Sequence, residues 1–373
     1  MKQFALKPVV QLYSTFSQFI EAIQPGPNDC IFTVKFLNDT RFKPLSLKSS
    51  VLLFEDYGSG EPTDVMVDAI LADFRKLDCQ RVIAVGGGSV IDIGKLLTLK
   101  ATGSTLDYFN KSVEIVKEKE LLLVPTTCGT GSEVTNIAIA GIPAKGTKMG
   151  LAVDALYADK AILVPELIHG LPEYVFITSS LDALVHALES FVAPRSNLYA
   201  DLFSTGAIRS ILDNYKIFLR EGRQATIARL AHSMMIASNY AGVAFGNTGV
   251  GAVHALSYPL GGVHHVPHGE ANARFLSAVF GAYLARNPTG RIRELSALIS
   301  TTLEIPAWQD PWKALGQIVD MLLPTKPLRE YGMTEEEIEI FADGVVENQQ
   351  RLLANNYVAL SRDEIRDIYR SLW

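Results

Sequence analysis

Four short apolar runs, each ending in a turn, dominate the first half of the chain. The runs are CIFTV, SVLLFE, RVIAVGGG and ELLLVPTT, and helical patterns such as PTDVMVDAILADFRKL lie between them. This alternation is typical of a parallel β-sheet with helices on both faces. From about Glu173 the strand signals stop, and helical patterns with breaks at prolines such as Pro259 continue to Trp373. We therefore predict an α/β domain over residues 1–173 and an all-helical domain over residues 174–373.

Composition narrows the function classes. The 373 residues favour two domains, and the 48% hydrophobic and 20% charged content is that of an ordinary globular protein. A net charge of −6 without a basic stripe argues against a nucleic-acid partner. We expect no signal peptide and no membrane span, because the N-terminus lacks an unbroken apolar region and the long uncharged stretches contain polar residues. Three cysteines without a CxxC pair indicate a reducing cytoplasm.

Four residues form a candidate metal site: Asp182, His186, His254 and His268. The first two are four apart in a helical pattern and share one face. The other two bracket a Gly/Pro-rich bend that can fold the second histidine back beside the first. The stretch between Leu230 and Gly269 contains no Asp, Glu, Lys or Arg, yet it holds five of the seven histidines. Such N/O donors suit Fe(II) or Zn(II), although an Asp–His pair at this spacing is often only hydrogen-bonded.

A glycine turn in RVIAVGGGSVIDIGK is a candidate phosphate site. Gly86, Gly87 and Gly88 would let the backbone approach an anion, and we expect Ser89 to cap a helix that begins near Val90. The alternative is a tight turn without a ligand. A carboxylate in the first helical turn would repel phosphate, so we expect Asp92 to hold the loop amides, and Lys95 to be solvated.

A second turn, PTTCGTGSEVT, follows the strand that ends at Pro125. Its hydroxyls and glycines suit ribose and phosphate oxygens, and the carboxyl edge of an α/β sheet is where such ligands bind. The alternative is a Ser/Thr-capped turn in which Glu133 completes a local network. Two turns of this kind favour a nucleotide, and we interpret Cys128 as a small filler.

These motifs together resemble those of the iron-dependent (group III) alcohol dehydrogenase family. GGGSVID, PTTCGTGSEVT, DALVHALE, AGVAFGNTGVGAVHAL and VPHGEAN occur in family order over nearly the whole chain. The resemblance implies a Rossmann-like N-terminal domain of the dehydroquinate synthase type, a helical C-terminal domain, NAD(P)-dependent alcohol chemistry and a bound metal. It maps the metal ligands to Asp182, His186, His254 and His268.

The resemblance also implies the finer assignments. Runs such as FGNTGVGAVHALSYP and QQRLLANNY favour the branch of the family that interconverts 4-hydroxybutyrate and succinate semialdehyde with NAD. Relatives carry histidine where Tyr258 stands, and we expect Tyr258 and His264 to be the catalytic proton-transfer residues. Relatives also carry an aspartate where Val34 precedes Lys35, so NADP is not excluded. The expected cofactor contacts are Gly86, Gly87, Gly88, Ser89, Asp92, Thr126, Thr127, Thr130, Ser132, Lys148 and Leu167.

Three alternatives remain open at the level of sequence. The substrate could be another short alcohol, such as a diol, glycerol or lactaldehyde; the reaction could be that of a dehydroquinate synthase-type lyase; or the chain could bind metal or nucleotide without turnover. We expect a small-molecule substrate and a homodimer or higher homo-oligomer. Candidate partners for a substrate carboxylate are Lys148, Arg274, Lys326, Arg329, Arg351, His264 and His265.

Overall fold

The structure, a computed structural model, describes residues 3–145 and 147–373. The chain divides into two compact units, Leu6–His169 and Gly170–Trp373, and the second also includes the N-terminal residues up to Ala5. The first unit is α/β and the second is helical. The predicted fold class is therefore confirmed.

The α/β unit is built on a six-stranded sheet with the strand order β1-β8-β5-β4-β2-β3, and every neighbouring pair is parallel. A separate antiparallel hairpin consists of β6 and β7. The elements of this unit are β1 (Val9–Leu12), α1 (Phe16–Ile23), β2 (Asp29–Thr33), α2 (Lys35–Leu37), β3 (Ser50–Leu53), α3 (Asp64–Phe74), β4 (Arg81–Gly86), α4 (Gly88–Leu97), α5 (Thr105–Phe109), β5 (Glu120–Pro125), β6 (Ile137–Ile142), β7 (Thr147–Ala152) and β8 (Lys160–Leu163).

The central strands are buried on both faces because helices cover the sheet from both sides. Residues of β4 alternate between two apolar clusters: Val82 and Ala84 pack on one face, and Ile83 and Val85 pack on the other. This explains why β2, β4 and β5 appear in the sequence as continuous apolar runs. The four strands predicted from the sequence are β2, β3, β4 and β5, whereas β1, β8 and the β6–β7 hairpin were not predicted.

Helices are the only regular elements in the described part of the second unit. They are α6 (Glu173–Val192), α7 (Leu198–Glu221), α8 (Arg223–Thr248), α9 (Ala252–His264), α10 (His268–Arg286), α11 (Gly290–Thr302), α12 (Pro311–Leu322), α13 (Glu336–Asn348), α14 (Gln350–Leu353) and α15 (Arg362–Leu372). α6 is buried along almost its whole length and packs against α7, α8 and α10. It is the one helix among the described residues that is long and apolar enough to cross a membrane, yet 89% of its apolar window is buried inside the protein, as in a core helix.

The break predicted at Pro259 is wrong, because α9 continues through this residue to His264. Gly261 also lies within this helix rather than in a bend. The chain instead reverses after His264, where His265 has a left-handed backbone (φ 55°) and Pro267 precedes α10. His254 and His268 therefore lie near the N-terminal ends of two adjacent helices rather than on either side of a short turn.

Candidate metal centre and nucleotide site

Asp182 and His186 lie one turn apart on α6, which is buried along almost its whole length. Their side chains are only 4% and 6% exposed, and Asp182 Oδ2 lies 3.9 Å from His186 Nδ1. The shared face follows from the four-residue spacing along α6. A carboxylate buried to this degree needs donors or a cation around it, since an unpaired buried charge is costly.

Helices α9 and α10 bring two further imidazoles to Asp182. Its Oδ1 atom lies 3.8 Å from His254 Nε2 and 3.6 Å from His268 Nε2. One ligand atom from each of these three residues lies within 4.8 Å of the other two. Tetrahedral ligands at about 2.1 Å from a metal are roughly 3.4 Å apart, so two of the separations need only a small contraction.

The side-chain amide of Asn272 marks the point on which the three ligand atoms converge. Its nitrogen lies 2.8 Å from Asp182 Oδ1, 3.1 Å from His254 Nε2 and 3.2 Å from His268 Nε2. Its oxygen accepts a hydrogen bond from Ser257 Oγ, which orients the amide. The three acceptor atoms therefore share a common focus, and a donor set of one carboxylate and two imidazoles fits a borderline divalent cation.

His186 lies beside this group of three rather than within it. Its ring is stacked between Phe245, with centroids 4.1 Å apart, and His254, with centroids 4.7 Å apart. The stack fixes the plane of the imidazole. The structure thus brings all four residues of the sequence-based site together, with Asp182, His254 and His268 the most closely convergent.

The three histidines also act on the protonation of Asp182. Burial opposes ionisation of this carboxyl, but His186, His268 and His254, with the Asn272 hydrogen bond, hold its pKa below the ordinary value. A carboxylate that stays ionised is the form that binds a metal.

Glu189 is a functional candidate that the sequence interpretation missed. It is 2% exposed, and its Oε2 atom lies 2.6 Å from His254 Nδ1, on the ring edge opposite the cluster. Its other oxygen accepts the Val253 backbone N–H at 2.7 Å. The signal was available, because Asp182, His186 and Glu189 follow the i, i+4, i+7 spacing of one helical face.

The two expected proton-transfer residues have different surroundings. Tyr258 is half-buried, and its ring centroid lies 6.0 Å from that of His268. His264 instead contacts Glu337 of α13, with Nε2 and Oε2 3.0 Å apart. It lies ten residues beyond His254 on α9, which is about 15 Å of helical rise. The structure therefore brings Tyr258, but not His264, to the cluster.

The glycine turn joins β4 to α4, and its capping differs from the prediction. The helix begins at Gly88, two residues earlier than expected, and its N-cap is Gly87 rather than Ser89. Ser89 lies in the first turn, among residues whose backbone N–H groups lack helical partners. A β-carbon on Gly87 would meet only Thr127 Cγ2, at 3.6 Å, whereas one on Gly88 would lie 2.8 Å from Thr130 Cγ2. The glycine turn and the threonine turn are therefore in contact.

A buried network accounts for Asp92, Ser132 and Lys95. Asp92 accepts Ile139 N–H at 3.0 Å and Ser132 Oγ at 2.5 Å, so it holds β6 and the second turn rather than the amides of the glycine loop. The prediction that Lys95 is solvated is wrong, because its side chain is fully buried. Its ammonium lies 2.5 Å from both Ser132 Oγ and the carbonyl oxygen of Ile137, and burial lowers its pKa.

The remaining predicted contacts are spread over the α/β unit. Thr126 is buried after β5, and its N–H donates to Gly86 O at 2.9 Å. Lys148, on β7, forms an ion pair with Glu61 at 2.5 Å. Leu167 packs against the apolar cluster on one face of the sheet. Thr126 therefore lies with the two turns, whereas Lys148 and Leu167 have structural contacts of their own.

The side chains that were candidates for binding a substrate carboxylate have contacts other than those with the metal cluster. Arg274 lies six residues after His268, roughly 120° away around the axis of α10, and its Nε atom has no hydrogen-bond partner among the described residues. Arg329 donates to the backbone of Trp373, and Lys326 lies 5.9 Å from the Tyr331 ring centroid. The other two candidates in this unit, Arg351 and His265, are exposed.

Comparison with known proteins identifies the class of protein. Residues 23–165 match the family described as "Iron-containing alcohol dehydrogenase", and residues 176–373 match "Fe-containing alcohol dehydrogenase family, C-terminal". The chain belongs to the iron-containing alcohol dehydrogenase family, and the family prediction is confirmed.

Two relatives and one solved structure show which members of this family the chain is similar to. The chain is 48% identical over all 373 residues, and over all of the relative, to 4-hydroxybutyrate dehydrogenase from Clostridium kluyveri. It is 34% identical over 311 residues to 4-hydroxybutyrate dehydrogenase from Cupriavidus necator, which covers 80% of this chain and 79% of that one. Among solved structures, 1,3-propanediol oxidoreductase superposes with a TM-score of 0.85 and 25% identity, with full coverage of both chains.

Proposed function

We propose that this chain is a metal-dependent, NAD(H)-linked dehydrogenase that interconverts 4-hydroxybutyrate and succinate semialdehyde. The choice of this substrate is supported by the 48% identity to the Clostridium kluyveri enzyme over the full length of both chains. The residues of the candidate site agree with this chemistry, because they provide a buried cation site and a separate pair of turns suited to a nucleotide.

Asp182, His254 and His268 would hold the metal, with His186 as the fourth ligand. The proposal rests on the three acceptor atoms that share the Asn272 amide as a focus, and on the absence of a thiolate from this group. Fe(II) and Zn(II) both suit such donors. When bound, the metal supplies a Lewis acid for the substrate's alcohol or carbonyl oxygen. Asp182 and His254 are buried, which strengthens electrostatic interactions at this side of the site, whereas His268 is 33% exposed and faces solvent in part.

The glycine and threonine turns would bind the nicotinamide cofactor, which exchanges hydride with the substrate carbon. Free N–H groups in the first turn of α4 suit its phosphates, and the open side of Gly87 leaves room for them. NAD is the proposed cofactor. Val34 follows β2, and the adjacent N–H of Lys35 donates to Glu55 at 2.9 Å, so a carboxylate lies beside this strand end, where it would repel the extra phosphate of NADP.

Tyr258 is the proposed route for the substrate proton. Its ring lies against His268, and it is half-buried, so its hydroxyl can orient a proton or a water between the site and solvent. We propose that the hydroxyl works by positioning a proton or a water and not as a free acid or base. His264 is not part of this route, because its imidazole is engaged by Glu337.

An assay of metal-free protein tests the proposal. After addition of Fe(II) or Zn(II), NADH oxidation should be much faster with succinate semialdehyde than with butanal. Butanal has a carbon chain of the same length, with a methyl group in place of the carboxylate. Asp182→Asn should lose both bound metal and turnover. If activity with butanal, or with the aldehyde derived from a short diol, equals or exceeds that with succinate semialdehyde, the proposed substrate is wrong and another short alcohol is favoured. A lack of stoichiometric NADH consumption with every aldehyde would refute a dehydrogenase and favour a lyase or a non-catalytic binder.

The remaining proposals concern the setting of the enzyme. The three cysteines are free and buried, which supports a reducing compartment such as the cytoplasm. A homodimer or higher homo-oligomer is also proposed, and sedimentation of the purified chain tests it.

A further inference from the structure

The buried carboxylate of Glu189 connects the first turn of α9 to the ring of His254. Its Oε1 atom accepts the Val253 N–H, and its Oε2 atom faces His254 Nδ1. Both side chains are 2% exposed, so solvent does not compete for these contacts. A single group therefore holds the backbone and the imidazole of the same helical turn. A carboxylate at a helix N-terminus is further favoured by the helix dipole.

The two ring nitrogens of His254 are fixed by neighbours on opposite sides. The Asn272 amide nitrogen donates to the Asp182 carboxylate, which can only accept, and this orients the amide so that its nitrogen also faces His254 Nε2. A donor at that position requires a lone pair on Nε2. The proton of the neutral ring then lies on Nδ1, where it donates to Glu189. This is the tautomer that presents Nε2 to a cation.

We propose that Glu189 is a positioning residue that keeps His254 in the Nδ1–H tautomer and thereby sets the affinity of the metal centre. This inference rests on the proposed function, because it concerns the metal that the cluster would hold. Hydrogen bonds of this kind to metal-binding histidines typically change metal affinity by about 10- to 100-fold.

Glu189→Gln is the sharpest substitution, because an amide has the same shape but only one acceptor oxygen. If that oxygen accepts the Val253 N–H, the new NH₂ group faces His254 Nδ1 and shifts the ring proton to Nε2. If the amide turns over, two donors oppose each other at Val253. Either arrangement removes a contact that the carboxylate satisfies, without opening a cavity.

Glu270→Gln is the matched control. Glu270 is also buried, at 7% exposure, and lies two residues after His268, but it accepts hydrogen bonds from the hydroxyls of Tyr174 and Tyr331. A hydroxyl can rotate to donate or accept, so an amide is tolerated there. This substitution removes a buried negative charge close to the site without touching a ligand ring.

A second variant perturbs Glu189 without replacing it. A β-carbon on Gly251 would lie 3.3 Å from Glu189 Oε1, 3.0 Å from Asn356 Oδ1 and 3.6 Å from the Tyr283 hydroxyl. Gly251→Ala therefore presses a methyl group against the carboxylate. Gly251 is the N-cap of α9, and Gly262→Ala, inside that helix, is its control, because a β-carbon at Gly262 meets nothing within 4 Å.

Zinc affinity of the full chain, measured against a chromophoric chelator after metal removal, tests the proposal. We expect Glu189→Gln to bind about 10- to 100-fold more weakly than wild type, Gly251→Ala to be weakened less, and both controls to match wild type. Affinity of Glu189→Gln within about twofold of wild type, or an equal loss in Glu270→Gln, would overturn the proposal. If Glu189→Gln does not fold, the Gly251→Ala and Gly262→Ala pair decides the question.

A tautomer measurement separates this inference from the proposed function. Nitrogen-15 chemical shifts of labelled histidines in metal-free wild-type protein report which nitrogen of His254 carries the proton, and His254→Gln assigns the signal. The Nδ1–H form supports the role of Glu189, and the Nε2–H form overturns it. If wild type binds no zinc, the proposed metal centre fails, while the tautomer still decides the role of Glu189.

Discussion

Gly269 offers a direct test of how the helices build the metal centre. It follows His268 where α10 crosses α6, and a β-carbon there would lie 2.7 Å from the carbonyl carbon of Thr178 and closer still to its oxygen. The β-carbon of Asp182 would be 3.3 Å away. Gly269→Ala therefore forces backbone, rather than the end of a flexible side chain, to move.

The size of that movement can be worked out from the contact. Carbon atoms pack at about 3.5 Å or more, so the contact with the Thr178 carbonyl carbon alone requires a separation of roughly 0.8 Å, and the closer carbonyl oxygen requires more. Metal–ligand distances tolerate only about 0.2 Å. Since Asp182 and His268 lie on opposite sides of the crossing, we expect metal affinity to fall by about tenfold or more. Overpacking costs about 1–3 kcal/mol, and removal of a helical glycine offsets about 0.5–1 kcal/mol, so the chain should still fold.

Gly281→Ala, on the same helix, is the control for Gly269→Ala. A β-carbon at Gly281 meets nothing within 4 Å, so this substitution should stabilise the chain by about 0.5–1 kcal/mol and leave metal binding unchanged. Elemental analysis after zinc reconstitution gives the metal content, and urea unfolding gives the stability. Equal metal content in the two variants would refute the reasoning that this helix crossing sets the ligand geometry.

Three further substitutions test other parts of the structure. Gly87→Val should weaken NADH binding much more than zinc binding, because its side chain would fill the open side of the glycine turn; unchanged NADH affinity in a fluorescence titration would make the turn purely structural. Tyr258→Phe should lower kcat modestly with metal retained, and Tyr258→His should preserve activity; a Phe variant with wild-type kcat and pH profile would contradict the proton route. Burial lowers the pKa of Lys95, so between that pKa and about 10.4 the unfolded chain binds more protons and stability rises with pH. Lys95→Met should reduce this rise of the free energy of unfolding with pH, as measured by urea titrations at several pH values. Equal pH slopes in wild type and variant would show that Lys95 does not cause the rise.

The predictable part of the fold consists of the elements with a strong local pattern. β2, β4 and β5 are buried on both faces and therefore appear as unbroken apolar runs ending in turns. β1 has no such signal, because three of its four residues are exposed at the edge of the sheet. β6 alternates between buried and half-buried residues, a pattern that could have identified it. Pro259 was expected to break a helix, but tertiary packing keeps α9 continuous.

The residues of the candidate site also divide into those that could be predicted from the sequence and those that could not. The four metal candidates could be found because their residue types and spacing are unusual in an uncharged segment. The spacing could have placed Glu189 on the same helical face, but its contact with His254 could not be predicted, because it depends on the position of α9. The contacts of Asn272 depend in the same way on the packing of α10 against α6. Lys95 has the sequence appearance of a solvated helix residue, and only the packing of β6 and the second turn reveals that it is buried.

The position of β1 has a consequence for how the polypeptide assembles during synthesis. This strand pairs with β8, and its first residue, Val9, aligns with Lys160. Because β1 is made before β8, it has no partner strand until Leu163 has been made. Until then a short apolar segment remains exposed and available to chaperones or to other nascent chains. The sheet is completed from its β3 edge towards β1, so β1, although made before the other strands described, is the last to dock.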